Sequence, residues 1–424
     1  NSSRICVIFF VSRDFISEKD LMDRFDIGII GAGVAGAFAS YRIVNKYPDK
    51  KTILFELGRP PFKRRRFCEG FLGCLPNNDG KIHLNDIDNV KNIADKRATY
   101  FSSKWIFNLF DFINQSKIIK DSLPSSSLQK KLSENNFEII KNDYIQWKPD
   151  SIHKLSKHIA DSIENSNVQL SFDNEVTKIY KKKDYFIVAT ANGDFLCKKL
   201  ILCAGRSGWR WVNSLFKDFG ILVNDNFATF GVRVEIAAKY MKEFNNSHCT
   251  LYRDNLEIGP LCWYGTVIPE DHADVVISNF RSNEERWKTD KVSFSILASK
   301  IFKDQGCYQT DRLAKLAFLL FNDRVGKERI KIFTKNNSQL NLLPEYNWLK
   351  EIFEELDNII PNLISRGYIY VPNILPMASE IKIDKNLSTE IEGLYVAGES
   401  AGIRGIAAAA ITGAIAADSI CKEY

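Results

Sequence analysis

Near the start of the chain, a continuous apolar run gives way to a helical pattern and then to a second apolar run. Residues 25–30 are almost wholly apolar, which is typical of a strand buried on both faces of a parallel sheet. Residues 34–46 have the composition of a packed helix, and residues 52–56 form the next apolar run. This order of strand, helix and strand predicts a βαβ unit with parallel strands.

Farther along, the spacing of apolar residues predicts another helix and several short strands. The helix is predicted over residues 151–165, where apolar residues recur three and four positions apart. Alternating apolar and polar residues between turn signals predict strands at 168–172, 175–180, 185–190 and 194–197. The last two are joined by a predicted hairpin turn, and a further strand at 200–203 ends in small residues.

The remaining segments show weaker patterns, which predict a second body inserted into the first. Residues 85–145 are predicted to be helical and polar, and residues 292–321 to be largely helical. Strands are predicted at 230–235, 261–267, 275–280 and 391–398, and a helix rich in glycine and alanine at 401–420. The predicted domains are 25–225 together with 366–424, and 226–365, with residues 1–24 as a leader outside the fold.

Composition excludes several classes of protein. The net charge of +6 over 424 residues is too small to indicate a nucleic-acid partner. No apolar run is long enough for a membrane span, since even the 401–420 helix is weakly apolar and contains Arg404. The nine cysteines form no CxxC pair and no metal-like pattern with histidine, so we expect no metal site and a reducing, cytoplasmic location.

A dinucleotide-binding fingerprint lies within the predicted βαβ unit. Gly31 permits a tight turn, Gly33 lets a pyrophosphate approach the backbone, and Gly36 lets the helix pack on the strand. The helix begins at Val34, followed by Ala35, and the free N–H groups of this first turn favour an anion. Glu56, at the end of the second strand, is suited to accept hydrogen bonds from a ribose diol. The fingerprint alone does not separate FAD from NAD.

Five segments together resemble the glutathione-reductase-like FAD-dependent dehydrogenases, from about residue 25 to residue 420. They are GAGVAG at 31–36, EGFLGCLPNNDGK at 69–81, LILCAGRSG at 200–208, FGVRVE at 230–235 and GLYVAGESAGIRGIAAAAITGAIAA at 393–417. The resemblance implies an α/β fold with a Rossmann-type FAD-binding domain, made of a parallel sheet with a β-meander, and an inserted α+β substrate domain. It also implies that the loop at residues 79–81 passes close to the isoalloxazine ring of FAD.

FAD is therefore the expected cofactor. The acid of Gly398-Glu399 is expected near the ribityl chain, and the helix that follows would stabilise negative charge on the reduced flavin. We expect the cofactor to contact Gly31, Gly33, Val34, Ala35, Gly36, Glu56, Leu57, Arg66, Gly80, Val176, Ala204, Gly205, Gly398, Glu399, Gly405 and Ile406. A Gly-rich turn and a small-residue helix without a ligand remain the alternative interpretation of these segments.

The candidate catalytic residues are Asp79, Lys81 and Arg404. Lys81 can donate a hydrogen bond to the flavin N5, and Arg404 can hold a substrate carboxylate. Asp79 can act as a general base if burial raises its pKa. His83 is a weaker candidate. Cys68 and Cys74 lie six residues apart beside a basic run, so a redox thiolate is conceivable. Arg233 and Glu235 share a strand face, which favours a structural ion pair.

The predicted function is transfer of a hydride between flavin N5 and an unidentified small-molecule substrate. No second glycine fingerprint is present, so any NAD(P)H donor would bind outside a second Rossmann domain. A flavin-dependent monooxygenase or an alkene reductase shares this organisation and stays open. A binding module without catalysis, similar to the Rab-GDP dissociation inhibitors, is the alternative from another class, and an intact Glu56 argues against it. The oligomeric state has no signal in the sequence.

Overall fold

The protein is represented by a computed structural model, which describes residues 22–63, 68–114, 118–221, 223, 227–272, 275–300, 302, 306–375 and 381–422. Its helices are α1 (Val34–Lys46), α2 (Asp86–Ile93), α3 (Lys96–Asn114), α4 (Ser126–Glu134), α5 (Pro149–Glu164), α6 (Trp209–Asp218), α7 (Gly306–Leu320), α8 (Ile330–Thr334), α9 (Leu349–Ile359), α10 (Leu363–Arg366) and α11 (Ile406–Lys422). Among the described residues, none of these helices is both long and apolar enough to cross a bilayer.

The strands fall into two large sheets, a small sheet and a hairpin. They are β1 (Arg24–Ile30), β2 (Thr52–Phe55), β3 (Lys81–His83), β4 (Ile118–Ile119), β5 (Glu138–Ile140), β6 (Tyr144–Gln146), β7 (Val168–Ser171), β8 (Val176–Lys181), β9 (Phe186–Thr190), β10 (Gly193–Leu202), β11 (Ala228–Ala237), β12 (Thr250–Arg253), β13 (Leu256–Trp263), β14 (Thr266–His272), β15 (Val275–Arg281), β16 (Lys291–Lys300), β17 (Gly326–Arg329), β18 (Tyr368–Ile374) and β19 (Leu394–Val396).

The first sheet is parallel through its centre and ends in an antiparallel meander. Strands β7, β2, β1 and β10 run side by side in the same direction, and β19 continues the parallel set beside the end of β10. The start of β10 pairs in the antiparallel sense with β9, and β9 pairs with β8. The predicted Rossmann-type parallel sheet with a β-meander is therefore confirmed.

Helix α11 brings the far end of the chain back onto the first βαβ unit. It packs across α1 so closely that a β-carbon at Gly413 would collide with the carbonyl oxygen of Ala35. Gly398 makes a similar approach, since a β-carbon there would come 2.9 Å from the Ala35 side chain. The small residues of both helices thus allow backbone contact at the centre of the first hydrophobic core.

The second sheet is antiparallel throughout its described length, in the order β17, β18, β11, β16, β13, β12 and β5. Apolar side chains of α7, α8, α9 and α10 share one hydrophobic core with its strands. The hairpin of β14 and β15 and the three-stranded sheet of β3, β6 and β4 stand apart from it.

Two expectations from the sequence pattern are wrong. The helix expected over residues 292–321 is confined to α7, and residues 291–300 form β16, a central strand of the second sheet. Residues 292–298 of this strand are all buried, and residues 292–296 alternate apolar residues with serine, a period of two that the helix prediction overlooked. The separate strands expected at 194–197 and 200–203 are one strand, β10, which is long enough to pair with both β9 and β19.

Strand membership differs from the domain division drawn from the sequence. Strand β5 and strand β18 pair within the second sheet, although their residues fall in the range expected for the first domain. We propose that residues 126–140 and 227–375 follow the second sheet, and that residues 22–114, 118–119, 144–221 and 381–422 follow the first.

Candidate active site

The carboxyl ends of the parallel strands meet at one edge of the first sheet and open into a cleft of about 800 Å³. Its floor includes Ile30, Phe55, Cys203 and Ala397, each at or directly after the end of one strand. The chain leaves β1 through α1 toward β2 on one side, whereas β10 lies on the other side. Ligands of open α/β sheets bind at such a switch point, and the volume is typical of small-molecule and cofactor sites.

The opposite wall comes from the second sheet and from α2. Tyr252 and Glu257 face each other across the β12–β13 hairpin, and both line the cleft. Asp86, in the first turn of α2, and Pro260 complete this wall. The cleft therefore lies between the two bodies, so any molecule in it would contact both.

The glycine turn after β1 leaves an open cradle in the cleft. A β-carbon at Gly36 would collide with the carbonyl oxygen of Gly31, so Gly36 serves close packing. A β-carbon at Gly33, by contrast, would meet nothing within 4 Å. Helix α1 begins there without a side-chain cap and without an acidic residue in its first turn. Its free N–H groups can therefore receive an anion such as a pyrophosphate.

Glu56 is buried directly after β2, and its carboxylate holds three backbone segments together. One oxygen accepts a hydrogen bond from the N–H of Ala32 at 2.6 Å. The other accepts from Gly58 at 2.7 Å and from Gly70 at 3.1 Å. An ionised carboxylate has about four lone-pair sites, so three of them serve the protein and one can accept a further hydrogen bond.

The turns after β10 and β19 are joined by hydrogen bonds at the middle of the cleft. The N–H of Gly205 donates to Ser400 Oγ at 3.1 Å, and the N–H of Arg206 donates to Glu399 Oε2 at 3.3 Å. A β-carbon at Gly205 would meet nothing within 4 Å, so this turn also presents bare backbone to the cavity. The two glycine motifs that lie far apart in the sequence are thus adjacent.

Arg206 is a cleft residue that our sequence interpretation missed. Its guanidinium donates to the buried Glu270 at 3.2 Å, and it lies 3.7 Å from Cys68 Sγ. The Cys68 thiol itself lies 3.3 Å from the same Glu270 carboxylate. Burial raises the pKa of Cys68, against the attraction of Arg206, so this cysteine is held as a thiol and not as a reactive thiolate.

Asp79 and Lys81 form an ion pair behind the cleft and do not line it. Their side chains are 15% and 10% exposed, and Lys81 Nζ lies 2.8 Å from Asp79 Oδ2. Burial works against both charges, yet Lys81 holds the pKa of Asp79 below its ordinary value. The raised pKa that a general base would need is therefore not found at Asp79. A catalytic role for this pair stays a prediction.

His83, which follows the loop at residues 79–81, does line the cleft. Its ring stacks on the ring of His248, with centroids 5.1 Å apart and planes inclined by 8°. Burial lowers the pKa of His83 to about 4, so the ring is neutral at physiological pH.

A cluster of ionisable side chains lines the far end of the cleft, at the start of α11. It consists of Asp86, Glu257, Arg404 and Tyr252, of which our sequence interpretation had singled out only Arg404. Burial raises the pKa of Asp86 to about 7 and raises the pKa of Glu257, with Arg404 opposing both shifts. An aspartate in the first turn of a helix usually serves its N-terminus, which is why the sequence pattern did not mark Asp86.

The cleft gathers most of the predicted site residues. It is lined by Gly31, Gly33, Val34, Ala35, Glu56, Leu57, Val176, Ala204, Gly205, Gly398, Glu399, Arg404, Gly405 and Ile406. Outside its lining lie Gly36, Asp79, Gly80 and Lys81, and Arg66 lies outside the described residues. The expected bridge between Arg233 and Glu235 is wrong. Arg233 donates to Ser293, and Glu235 pairs with Lys291 at 2.9 Å and with Lys327 at 3.5 Å.

The raised pKa of Asp86 predicts a pH-dependent gain in stability for Asp86→Asn. The folded state binds the Asp86 proton more tightly than the unfolded state, whose pKa is near 3.8. The stability from this group is present below pH 4 and is lost as the pH rises to about 7. The difference in unfolding free energy between Asp86→Asn and the wild type should therefore increase in favour of the variant by about 1–2 kcal/mol from pH 5 to pH 8, after allowance for solvent screening.

The measurement is chemical denaturation of the ligand-free protein at both pH values. Asp88→Asn is the matched control, because Asp88 is on the same helix but 73% exposed and paired with Lys91. A difference between Asp86→Asn and wild type that stays the same at both pH values would contradict the assignment.

The fold and the cleft define a Rossmann-type α/β protein with a large cleft at the carboxyl edge of its sheet. No protein-family model matches the chain, and no curated protein matches its sequence. Among solved structures, glycine oxidase from Geobacillus kaustophilus is similar over 94% of this chain and 95% of its own, at 11% identity and a TM-score of 0.43.

Two other similar structures are those of L-proline dehydrogenase and an FAD-bound oxidase. The L-proline dehydrogenase from P. horikoshii has 12% identity, coverage of 95% of this chain and 94% of its own, and a TM-score of 0.41. The L-alpha-glycerophosphate oxidase from Mycoplasma pneumoniae, with FAD bound, has 13% identity, coverage of 94% and 95%, and a TM-score of 0.45. At these levels of similarity, function must be argued from the geometry of this chain.

Proposed function

We propose that the protein is an FAD-dependent oxidoreductase that transfers a hydride between flavin N5 and a small molecule bound in the same cleft. The observation that carries this proposal is the continuity of the cleft. It joins the open cradle at Gly33 to the first turn of α11 at Ile406, and strands of the second sheet close its far wall. An extended dinucleotide requires these features in this order.

The residues of the cleft fit the parts of FAD. The N–H groups at the start of α1 would hold the pyrophosphate, beside the backbone of Gly33. Glu56 keeps one lone-pair site that would accept a ribose hydroxyl, and Glu399 lies at the middle of the cleft, where the ribityl chain would pass. The flavin ring would lie at Gly405 and Ile406, where the N-terminus of α11 favours negative charge.

When bound, FAD supplies hydride chemistry at N5 of its ring. The protein contributes binding and orientation of the substrate. Tyr252, Glu257 and Arg404 line the part of the cleft that faces the proposed ring position, so the substrate would lie between α11 and the β12–β13 hairpin. The carboxyls of Asp86 and Glu257 and the guanidinium of Arg404 at this end suit a polar molecule.

Direct oxidation of the substrate is favoured over a nicotinamide-fed cycle. The second sheet is antiparallel throughout its described length, so it does not contain the βαβ unit of a second dinucleotide domain. The electrons would therefore come from the substrate in the shared cleft, and a molecule other than NAD(P)H would reoxidise the flavin.

The test is anaerobic titration of the FAD-loaded protein. We expect the purified protein to show the absorption of oxidised flavin, to be bleached by dithionite, and to keep its colour when NADH or NADPH is added. Rapid bleaching by either nucleotide would overturn the direct route. A protein that stays colourless after incubation with excess FAD would overturn the proposed function and favour a binding module.

A further inference from the structure

The carboxyl of Asp86 lies in the cleft without a partner. Among the described residues, no hydrogen bond or ion pair engages it, whereas two other acids of the cleft, Glu56 and Glu399, are engaged. Glu56 accepts three backbone N–H groups, and Glu399 accepts one. A side-chain oxygen of Asp86 packs against Gly405, where a β-carbon would collide with it. This oxygen therefore lies at the backbone that leads into α11, next to the proposed position of the flavin ring.

Asp86 interacts electrostatically with Arg404, on the turn before α11, and with Tyr252 on the hairpin. Glu257, opposite Tyr252, and His83, on β3, line the same cleft. Burial raises the pKa of Tyr252 to about 12, so this phenol stays protonated, whereas His83 stays neutral. Arg404 is a permanent cation. Asp86, with its pKa near 7, can therefore exchange a proton at neutral pH, as an acid–base group requires.

We propose that Asp86 is the catalytic base of the reaction, and that the substrate carries a protic oxygen or nitrogen on the carbon that is oxidised. The inference rests on the proposed function. The Asp86 carboxylate would take the proton of the O–H or N–H bond, and the carbon–heteroatom double bond would form as the neighbouring C–H bond breaks. The electron pair of that bond would leave as hydride, for which bound oxidised flavin would be the two-electron acceptor. Asp86 would later release its proton to solvent.

Asp86 should also change its protonation when the bound flavin is reduced without any substrate. The reduced flavin carries negative charge at neutral and alkaline pH, and a like charge nearby raises the pKa of a carboxyl. Reduction of the bound flavin should therefore draw a second proton, onto Asp86. Each proton taken up with two electrons changes the equilibrium tenfold per pH unit, which is about 30 mV. Two protons give about 59 mV per pH unit.

The experiment is an anaerobic potentiometric titration of the FAD-loaded protein with dithionite and mediator dyes from pH 7.5 to pH 9. We expect the midpoint potential to fall by about 59 mV per pH unit in the wild type and by about 30 mV per pH unit in Asp86→Asn. Asp88→Asn, on the exposed side of the same helix, should keep the wild-type slope.

Three outcomes would overturn the inference. A wild-type slope of about 30 mV per pH unit would mean that no residue takes the second proton. A slope that falls to about 30 mV per pH unit in Glu257→Gln but stays at about 59 mV per pH unit in Asp86→Asn would assign the proton to Glu257. A slope that is unchanged in both variants would place the proton elsewhere. These results differ from a failure of the proposed function, in which no flavin spectrum is present to titrate.

Discussion

Replacing Gly33 by valine is expected to weaken FAD binding by roughly 30- to 150-fold while leaving the ligand-free fold intact, because the new side chain would fill the cradle meant for the pyrophosphate. A β-carbon at this position meets no protein atom within 4 Å, and the backbone there has a negative φ of −59°, so the folded chain tolerates it. Forcing extra methyl groups into a fitted contact costs about 2–3 kcal/mol, which gives the stated loss.

The measurement is the dissociation constant of FAD from quenching of flavin fluorescence, together with thermal unfolding of the ligand-free protein. Gly36→Val is the matched control in the same turn, since its side chain would collide with the carbonyl oxygen of Gly31. This control should lose about 1–3 kcal/mol of stability even without FAD. Equal FAD affinity in Gly33→Val and wild type would show that the pyrophosphate does not lie at α1.

Breaking the Asp79–Lys81 pair is expected to destabilise the protein by about 3–5 kcal/mol, whether or not FAD is bound. Asp79→Asn would leave the Lys81 ammonium buried and without its counter-charge, since that side chain is only 10% exposed. Removing both charges in Asp79→Leu/Lys81→Met should recover most of the loss, because the isolated buried charge is the cause of the destabilisation.

The measurement is the free energy of unfolding from chemical denaturation. Asp161→Asn is the control, because it removes an ion pair with Lys157 in which both side chains are about half exposed. An exposed pair of this kind contributes less than about 1 kcal/mol. If Asp79→Asn had the same free energy of unfolding as the wild type, the pair would not be structural. The catalytic role predicted for Asp79 from the sequence would then be favoured again.

Local patterns predicted the parts of this fold whose causes are local. The strand β1, the helix α1 and the strand β2 follow from one apolar run, a glycine turn and a second apolar run. Helix α5 follows from apolar residues three and four positions apart. Strand β16 was mistaken for part of a helix: residues 292–296 alternate apolar residues with serine, but the longer segment was assigned one helical pattern that holds only for α7.

The site divides in the same way. By itself, the sequence determined that a turn with Gly31, Gly33 and Gly36 leaves a strand and opens a helix, because backbone sterics act between neighbours. Only the tertiary structure decided that Arg206 reaches Glu270 and that Asp86 packs against Gly405. Those contacts join residues more than sixty positions apart, and burial and neighbouring charge set the pKa of Asp86 only after the chain has folded.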